Sequence, residues 1–279
     1  MKRFLAGSLR RSVFALLALS TLAGVGAFAS HGFSDEVARK TAGKAATAFQ
    51  FSTLPALSLG LYDGGLSFGE LLEHGDFGVG TFDALDGEGI ILNGKAWQVR
   101  ADGRVAAVAG KTTTPFAVVT FFKPNQIARV SSPAEYSALK AQINALLPTP
   151  NTPYAISVSG TFSRIKVRSV PRQDKPYRPL SEVVKTQSEW EWQNVKGTLV
   201  GFRFPAYLAQ VNLADYHFHF LSDDKKRGGH LLDCALTSGE IKIQTLRGLD
   251  LQLPGDNSFD GANLSTDQSA ALKASEQNR

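Results

Sequence analysis

Three turn dipeptides in the first half of the chain restrict its local structure. They are Asp86-Gly87, Asn93-Gly94 and Asp102-Gly103. Both dipeptide types favour the two-residue turns of β-hairpins, because Asn, Asp and Gly tolerate the positive φ angles that these turns need. The turns are separated by short runs that contain apolar residues, and such runs are expected to be antiparallel strands joined by the turns. The pattern predicts a β-meander over about 77–85, 88–92, 95–101 and 104–109.

Capping signals predict a few short helices elsewhere. Ser67 with Glu70, and Ser132 with Glu135, have the spacing of a capping box, so each pair predicts the start of a helix. A further short helix is predicted near the C-terminus, over 268–276.

Further strands are predicted in the second half of the chain, over 154–170, 211–221, 229–236 and 240–246, with a strand pair between 190 and 204 that turns near Asn194. This pattern indicates an α+β or α/β fold, with two β-rich subdomains, mixed or antiparallel sheets and a few short helices. A proline-rich break at 148–153 predicts their boundary and divides the chain into an N-terminal half over 48–150 and a C-terminal half over 151–279.

Three of the five histidines lie within fourteen residues, at His217, His219 and His230. Because side chains alternate along a strand, His217 and His219 leave one face, and Phe218 between them points to the core. The segment 221–229 is polar, charged and ends in two glycines, which predicts a turn that brings His230 back on the next strand. Three imidazoles without a fourth strong ligand nearby in sequence are typical of a catalytic Zn²⁺ with open coordination positions.

The first 29 residues have the features of a secretory signal peptide. A basic start is followed by an apolar stretch over 12–26, which is short for a membrane span, and by the cleavage motif Ala27-Phe28-Ala29. We therefore expect export to the periplasm or the medium, a mature chain that begins at Ser30, and a mobile polar leader over 30–47.

Removal of this peptide changes the charge of the protein. The whole chain has 30 basic and 25 acidic residues, a net charge of +5. The predicted signal peptide has four of the basic residues and no acidic ones, which leaves 26 against 25 and a net charge of +1. Without a basic stripe, we expect neither nucleic acid nor a membrane surface as a partner of the mature chain. The single cysteine, Cys234, excludes an intramolecular disulfide, and its apolar neighbours predict a buried thiol.

Several blocks of the sequence resemble the acetolactate decarboxylases. The blocks are 69–72, 74–82 (HGDFGVGTF), 85–88 (LDGE), 114–122 (TPFAVVTFF), 168–173 (RSVPRQ), 201–203 (GFR) and the histidine-bearing 216–224 and 228–233. They occur in the order of that family and cover about 48–276 as one family domain. The resemblance implies a two-domain α/β enzyme, a homodimer, that converts 2-acetolactate to (R)-acetoin and CO₂ with zinc as cofactor.

The resemblance also implies which residues form the site. His217, His219 and His230 correspond to the zinc ligands, in agreement with the strand argument. The catalytic positions correspond to Thr81, Glu88, Arg168 and Glu276. Without the resemblance, Glu88 would be interpreted as a solvated hairpin residue and Arg168 as a strand-surface charge.

The implied reaction gives each of these residues a chemical task. Loss of CO₂ produces an enediolate, which a divalent metal stabilises by chelating the substrate hydroxyl and ketone oxygens, without an organic cofactor. Arg168 is the candidate for orienting the substrate carboxylate, and Glu88 for proton transfer. Glu276 is an alternative acid or base or a lid residue, and Thr81 is a hydrogen-bonding partner of the substrate or of a metal-bound water.

Two other functions and another metal stay open on the residues alone. A cupin-like metal oxygenase also uses His-x-His on a strand. An exported metal-binding protein without activity would need the three histidines but neither Glu88 nor Arg168. Imidazole ligands suit several divalent ions, so the histidines do not select zinc by themselves.

Overall fold

A computed structural model describes residues 46–130 and 133–276, and two large sheets are the main elements of this part of the chain. The strands are β1 (Thr47–Phe51), β2 (Leu66–Ser67), β3 (Phe77–Thr81), β4 (Glu88–Leu92), β5 (Lys95–Val99), β6 (Val105–Ala107), β7 (Thr113–Thr114), β8 (Ala117–Thr120), β9 (Gln126–Val130), β10 (Ala134–Glu135), β11 (Tyr154–Ser169), β12 (Ser188–Phe204), β13 (Asp215–Ser222), β14 (Gly228–Thr245) and β15 (Gly248–Gln252). The helices are α1 (Leu54–Ser58), α2 (Phe68–Leu72), α3 (Tyr136–Leu146), α4 (Leu180–Val183), α5 (Asn257–Asp260) and α6 (Ser269–Glu276), with 3₁₀ turns at Asp83–Leu85, Val184–Thr186 and Ala206–Leu208. The predicted fold class, sheet-rich with a few short helices, is confirmed.

The predictions for residues 1–45, a signal peptide followed by a leader, lie outside the described residues. Strand β1 begins at Thr47, the last residue of the predicted leader. The boundary at 148–153 stays a prediction. Within the described part of the chain, no helix is long and apolar enough to cross a membrane.

The first large sheet contains the predicted meander. Its strand order is β15-β1-β8-β3-β4-β5-β6, and only the pairing of β1 with β15 is parallel. In the β3–β4 hairpin Thr81 pairs directly with Glu88, so these two residues leave the sheet on the same face.

The second large sheet closes on itself. Its order is β10-β14-β11-β12-β13, with β9 beside β14, and β13 also pairs with the first residues of β14. Strands β11 to β14 therefore form a closed circuit. One apolar cluster, which includes Phe162, Phe218 and Phe220, fills this circuit. Another contains Ile90 and Val118 of the first sheet with Phe202 of the second, and so joins the two sheets.

Two strand predictions in the second half were wrong. The predicted strand pair over 190–204 is the single strand β12, which passes through Asn194 and stays paired with β11 on both sides. Asn194 has a φ of 53°, a conformation that Asn tolerates. The strand therefore continues past Asn194 with one local irregularity and makes no turn there. The predicted strand at 240–246 is the end of β14, and the last strand is instead β15.

The ends of two other elements also differ from the prediction. The first meander strand ends at Thr81, because Ala84 and Leu85 take positive φ in a 3₁₀ turn. The helix expected at Ser132 begins at Tyr136, because Ala134 and Glu135 instead pair with β14. The capping box of Ser67 and Glu70 is confirmed at the start of α2.

Candidate active site

The three histidines converge, as the alternation along the strands predicts. His217 and His219 lie on β13, and His230 on β14 pairs directly with His219. One ring nitrogen of each lies within 4.8 Å of the others, and the Nε2 atoms of His217 and His219 are 3.2 Å apart. Zinc–nitrogen bonds of 2.0–2.1 Å in a tetrahedral site would separate two nitrogens by about 3.3 Å. The group therefore has the dimensions of a metal site.

The backbone next to His230 requires a glycine. Gly229 has a φ of 143°, which side chains rarely adopt, and a Cβ atom at this position would collide with the carbonyl oxygen of Arg168. The Gly-Gly sequence before His230 thus permits the close approach of β14 to β11. On the opposite face of β13, Phe218 is buried in the core, as predicted.

Two backbone carbonyl groups fix the orientation of two imidazoles. The Nδ1 atom of His219 donates to the carbonyl of Gly89 at 2.8 Å, and Nε2 of His230 donates to the carbonyl of Glu276 at 2.7 Å. A carbonyl oxygen only accepts, so these nitrogens carry the protons, and the other nitrogen of each ring is an unprotonated acceptor. His230 Nδ1 has no hydrogen-bond partner among the described residues, as expected of an atom that binds a metal.

The three imidazoles are also held neutral. Each is buried, and loss of solvation lowers the pKa of all three, well below the ordinary value for His219 and His230. Arg168 adds to this lowering. Metal ligation needs the unprotonated ring, so burial favours ligation at neutral pH.

Arg168 links two buried carboxylates beside the histidines. It lies on β11 directly opposite His230, with its side chain 2% exposed. Its Nη1 atom is 3.3 Å from Oε1 of Glu88, and its Nη2 atom is 3.0 Å from Oε2 of Glu276. Arg168 Nε has no hydrogen-bond partner among the residues described.

The two carboxylates reach the ligand atoms from different elements. Glu88 on β4 places Oε2 at 3.6 Å from Nε2 of His219, and Glu276 at the end of α6 places Oε2 at 3.4 Å from Nδ1 of His230. Burial raises the pKa of Glu88 to about 7; the charge of Arg168 opposes this shift and that of Glu276 adds to it. Thr81, across from Glu88 and 4% exposed, donates through Oγ1 to the carbonyl of Gly87 at 2.7 Å.

The structure thus brings all the sequence-predicted site residues into one buried region, with Thr81 at its edge. Their individual roles stay predictions. Sequence reasoning missed the carbonyl groups of Gly89 and Ser275, the second of which accepts from Arg168 at 3.3 Å, because a backbone carbonyl has no residue-type signal. A cavity of about 790 Å³ reaches His230 and Glu276, with Lys166 and Lys273 also on its walls.

The sequence of this chain is similar to those of known decarboxylases. The family model described as "Alpha-acetolactate decarboxylase" matches residues 48–266. An alpha-acetolactate decarboxylase of Methanosarcina mazei is 44% identical over 216 residues, which cover 77% of this chain and 75% of that protein. The protein of the same name from Methylococcus capsulatus is 43% identical over 228 residues, which cover 82% of this chain and 88% of that one.

Solved structures agree with the sequence comparison. The crystal structure of alpha-acetolactate decarboxylase from Bacillus subtilis strain 168 superposes with a TM-score of 0.81 at 35% identity, over 83% of this chain and 99% of that one. A Staphylococcus aureus protein described as similar to alpha-acetolactate decarboxylase superposes with a TM-score of 0.76 at 32% identity, over 78% and 94% of the two chains.

Proposed function

Because this chain belongs to the alpha-acetolactate decarboxylase family, we propose that its activity, the decarboxylation of acetolactate, depends on a zinc ion held by His217, His219 and His230. The observation that supports the proposal is the convergence of three buried, neutral imidazoles, two of which are oriented by backbone carbonyl groups. Membership of an enzyme family of this chemistry removes the metal oxygenase and the inactive metal-binding protein as alternatives.

The metal would act where negative charge develops in the substrate. When bound, a divalent cation supplies Lewis acidity to the hydroxyl and ketone oxygens of acetolactate as the bond to the carboxylate breaks. The imidazole donors fit this role, because they are neutral and would supply only three of the ligands that such an ion takes. Zinc is the first choice for such a ligand set, and other divalent ions fit the same donors.

Arg168 is proposed to position the acidic groups and the substrate together. Its terminal nitrogens hold Glu88 and Glu276 in fixed places beside the histidines. Its Nε atom, which has no hydrogen-bond partner in the described part of the chain, leaves a donor for the carboxylate of the substrate. The departing carboxylate and the proton donors would thus be oriented by one side chain.

Proton transfer completes the reaction. Loss of CO₂ leaves an enediolate whose carbon takes up a proton to give acetoin. Glu88 is proposed as the donor, with Glu276 as the second candidate, because their carboxyl groups lie beside ring nitrogens of the histidine group, Glu88 next to His219 and Glu276 next to His230. Delivery from one fixed side would give a single enantiomer, proposed as (R)-acetoin. Thr81, which pairs with Glu88 across the β3–β4 hairpin, would hold the backbone before Glu88 in place through its hydrogen bond to the Gly87 carbonyl.

The decisive experiment compares metal-loaded and metal-stripped protein. Purified protein is given racemic acetolactate, and acetoin and CO₂ are followed before chelation, after chelation and after zinc is restored. We expect activity to disappear on chelation and to return with zinc, and His217→Ala to contain no zinc and to be inactive. His74→Ala is the matched control, because His74 is exposed and stacks on Phe49 outside the site. Full turnover by stripped protein or by His217→Ala would overturn the metal proposal.

We further propose that the chain is exported and that it acts as a homodimer. The signal-like segment supports export, and the family resemblance supports the dimer. N-terminal sequencing of protein from the periplasm or medium should give Ser30 as the first residue. Sedimentation of the purified protein should give twice the mass of the mature chain.

A further inference from the structure

The C-terminal helix α6 contacts the histidine site through its main chain as well as through the Glu276 carboxylate. The carbonyl oxygen of Glu276 accepts from Nε2 of His230 at 2.7 Å, and that of Ser275 accepts from Nη2 of Arg168 at 3.3 Å. The end of one helix therefore holds two site residues that belong to β14 and β11.

The contact with His230 decides which nitrogen of that ring is available. His230 donates its Nε2 proton to the Glu276 carbonyl. The Nδ1 atom is therefore unprotonated, and it points into the histidine group. Without the carbonyl, the ring would be free to rotate and to exchange tautomers. Outer partners of this kind typically change metal affinity by about 10–100-fold when they are removed.

Apolar packing holds α6 in this place. Leu272 is 1% exposed and joins an apolar cluster to which α1 and α4 contribute. Ala270, two residues earlier on the same helix, is exposed. Leu272 is thus the apolar anchor of the helix, one turn before the residue that touches His230.

We propose that docking of α6 controls metal retention. Leu272 anchors the helix, and the anchored helix presents the Glu276 carbonyl that fixes His230 as an Nδ1 ligand. Leu272 is a positioning residue in this scheme, because it acts on the metal site through Glu276 and His230. The inference rests on the proposed metal centre and adds to it a dependence on the last helix of the described chain.

Linkage makes this dependence reciprocal. If docking of α6 strengthens metal binding by some factor, metal binding must strengthen docking by the same factor. The helix should therefore open less often in the zinc-loaded protein than in the stripped protein. This second consequence can be measured without any substitution.

The first test measures zinc affinity by competition with a chromogenic chelator. Leu272→Ala should raise the dissociation constant for zinc by about 10–100-fold. Ala270→Ser, a substitution on the same helix at an exposed position, should leave it unchanged. Circular dichroism and urea denaturation establish that both variants are folded. Equal affinity of wild type and Leu272→Ala would overturn the proposal.

The second test follows hydrogen exchange of the α6 amides in the wild-type protein, and it stands even where Leu272→Ala fails to fold. Exchange should slow when zinc is added, and zinc should have no effect in His217→Ala. Exchange that is insensitive to zinc in a wild-type protein that binds zinc overturns the role of the helix alone. A wild-type protein that binds no zinc overturns the metal centre itself, so the two failures are distinct.

Discussion

Replacing Arg168 with methionine would remove the positive charge that lies between two buried carboxylates. Arg168 is 2% exposed, and its terminal nitrogens are 3.3 Å from Glu88 and 3.0 Å from Glu276. Methionine retains an unbranched apolar stem and introduces no charge. The metal-free variant would therefore hold two carboxyl groups in a buried site with no opposite charge.

The expected cost follows from this geometry. Breaking a buried ion pair by removal of one partner costs about 3–5 kcal/mol, because the remaining charge stays desolvated. We expect this loss in the free energy of unfolding of metal-free protein at pH 8. Exposed ion pairs contribute at most about 1 kcal/mol, so the size of the loss distinguishes a buried ion pair from an exposed one.

Acid should relieve part of this loss. The pKa of Glu88 is already about 7 with Arg168 present, and removal of the opposing positive charge raises it further. Each additional proton that the folded variant binds changes its stability relative to wild type by about 1.4 kcal/mol per pH unit. Between the wild-type pKa of Glu88 and its higher pKa in the variant, the folded variant holds a proton that folded wild type lacks, so the difference in stability shrinks as the pH falls through this range. Wild type takes up the same proton below about pH 7, so between pH 8 and pH 5 the relief is at most about 1.4 kcal/mol, and the rest of the loss persists at pH 5.

The assay is urea denaturation of chelator-treated protein at pH 8 and pH 5. Arg164→Met is the matched control, because Arg164 lies on the same strand, is 30% exposed and pairs with Asp233 and Glu135. The control should lose about 1 kcal/mol or less at both pH values. A loss for Arg168→Met that is equally large at pH 5 and pH 8 would show that packing, and not charge, causes it, and the reasoning would be refuted.

Three further measurements test the proton donor, an unpartnered buried hydroxyl and the buried thiol. Glu88→Gln should lower kcat by about 10²–10⁴-fold, as expected for loss of a proton donor, while zinc content measured by mass spectrometry stays unchanged; wild-type turnover would remove Glu88 from that role. Tyr62→Phe should keep or raise the free energy of unfolding in urea by about 1 kcal/mol, because the buried Tyr62 hydroxyl has no hydrogen-bond partner within the described residues; a clear loss of stability would mean that the hydroxyl is bonded in solution. Burial raises the pKa of Cys234 to about 12, so its thiol should not react with a disulfide reagent at pH 8 until urea unfolds the protein. Fast labelling of the native protein would contradict the buried position of this thiol.

The parts of the site that the sequence predicts are those with a local signal. The alternation of His217, Phe218 and His219 predicts a strand with two imidazoles on one face, and the structure confirms that arrangement. The glycines before His230 predict the turn that returns it. Each of these inferences needs only residues that are neighbours in sequence, since strand alternation and turn conformation are local properties.

The parts that could not be predicted depend on pairing between distant segments. The continuity of β12 through Asn194 follows from its pairing with β11, which no property of residues 190–204 reveals. Arg168 comes to lie opposite His230 through the register of β11 and β14. Only the family resemblance identified Arg168 and Glu276, because a single arginine on a strand and a single glutamate in a polar tail are common on protein surfaces.

The site needs the whole fold, because distant segments also orient its ligands. His219 is oriented by the Gly89 carbonyl on β4 of the first sheet, and His230 by the Glu276 carbonyl on α6. The three imidazoles lie close together in sequence, yet the groups that set two of their tautomers come from elements more than forty residues away, at sequence separations of 130 and 46. An isolated β13–β14 hairpin would contain all three histidines and neither carbonyl. Tight metal binding should therefore appear only after the two sheets and the last helix have packed together, since outer partners decide how well the ligands are oriented.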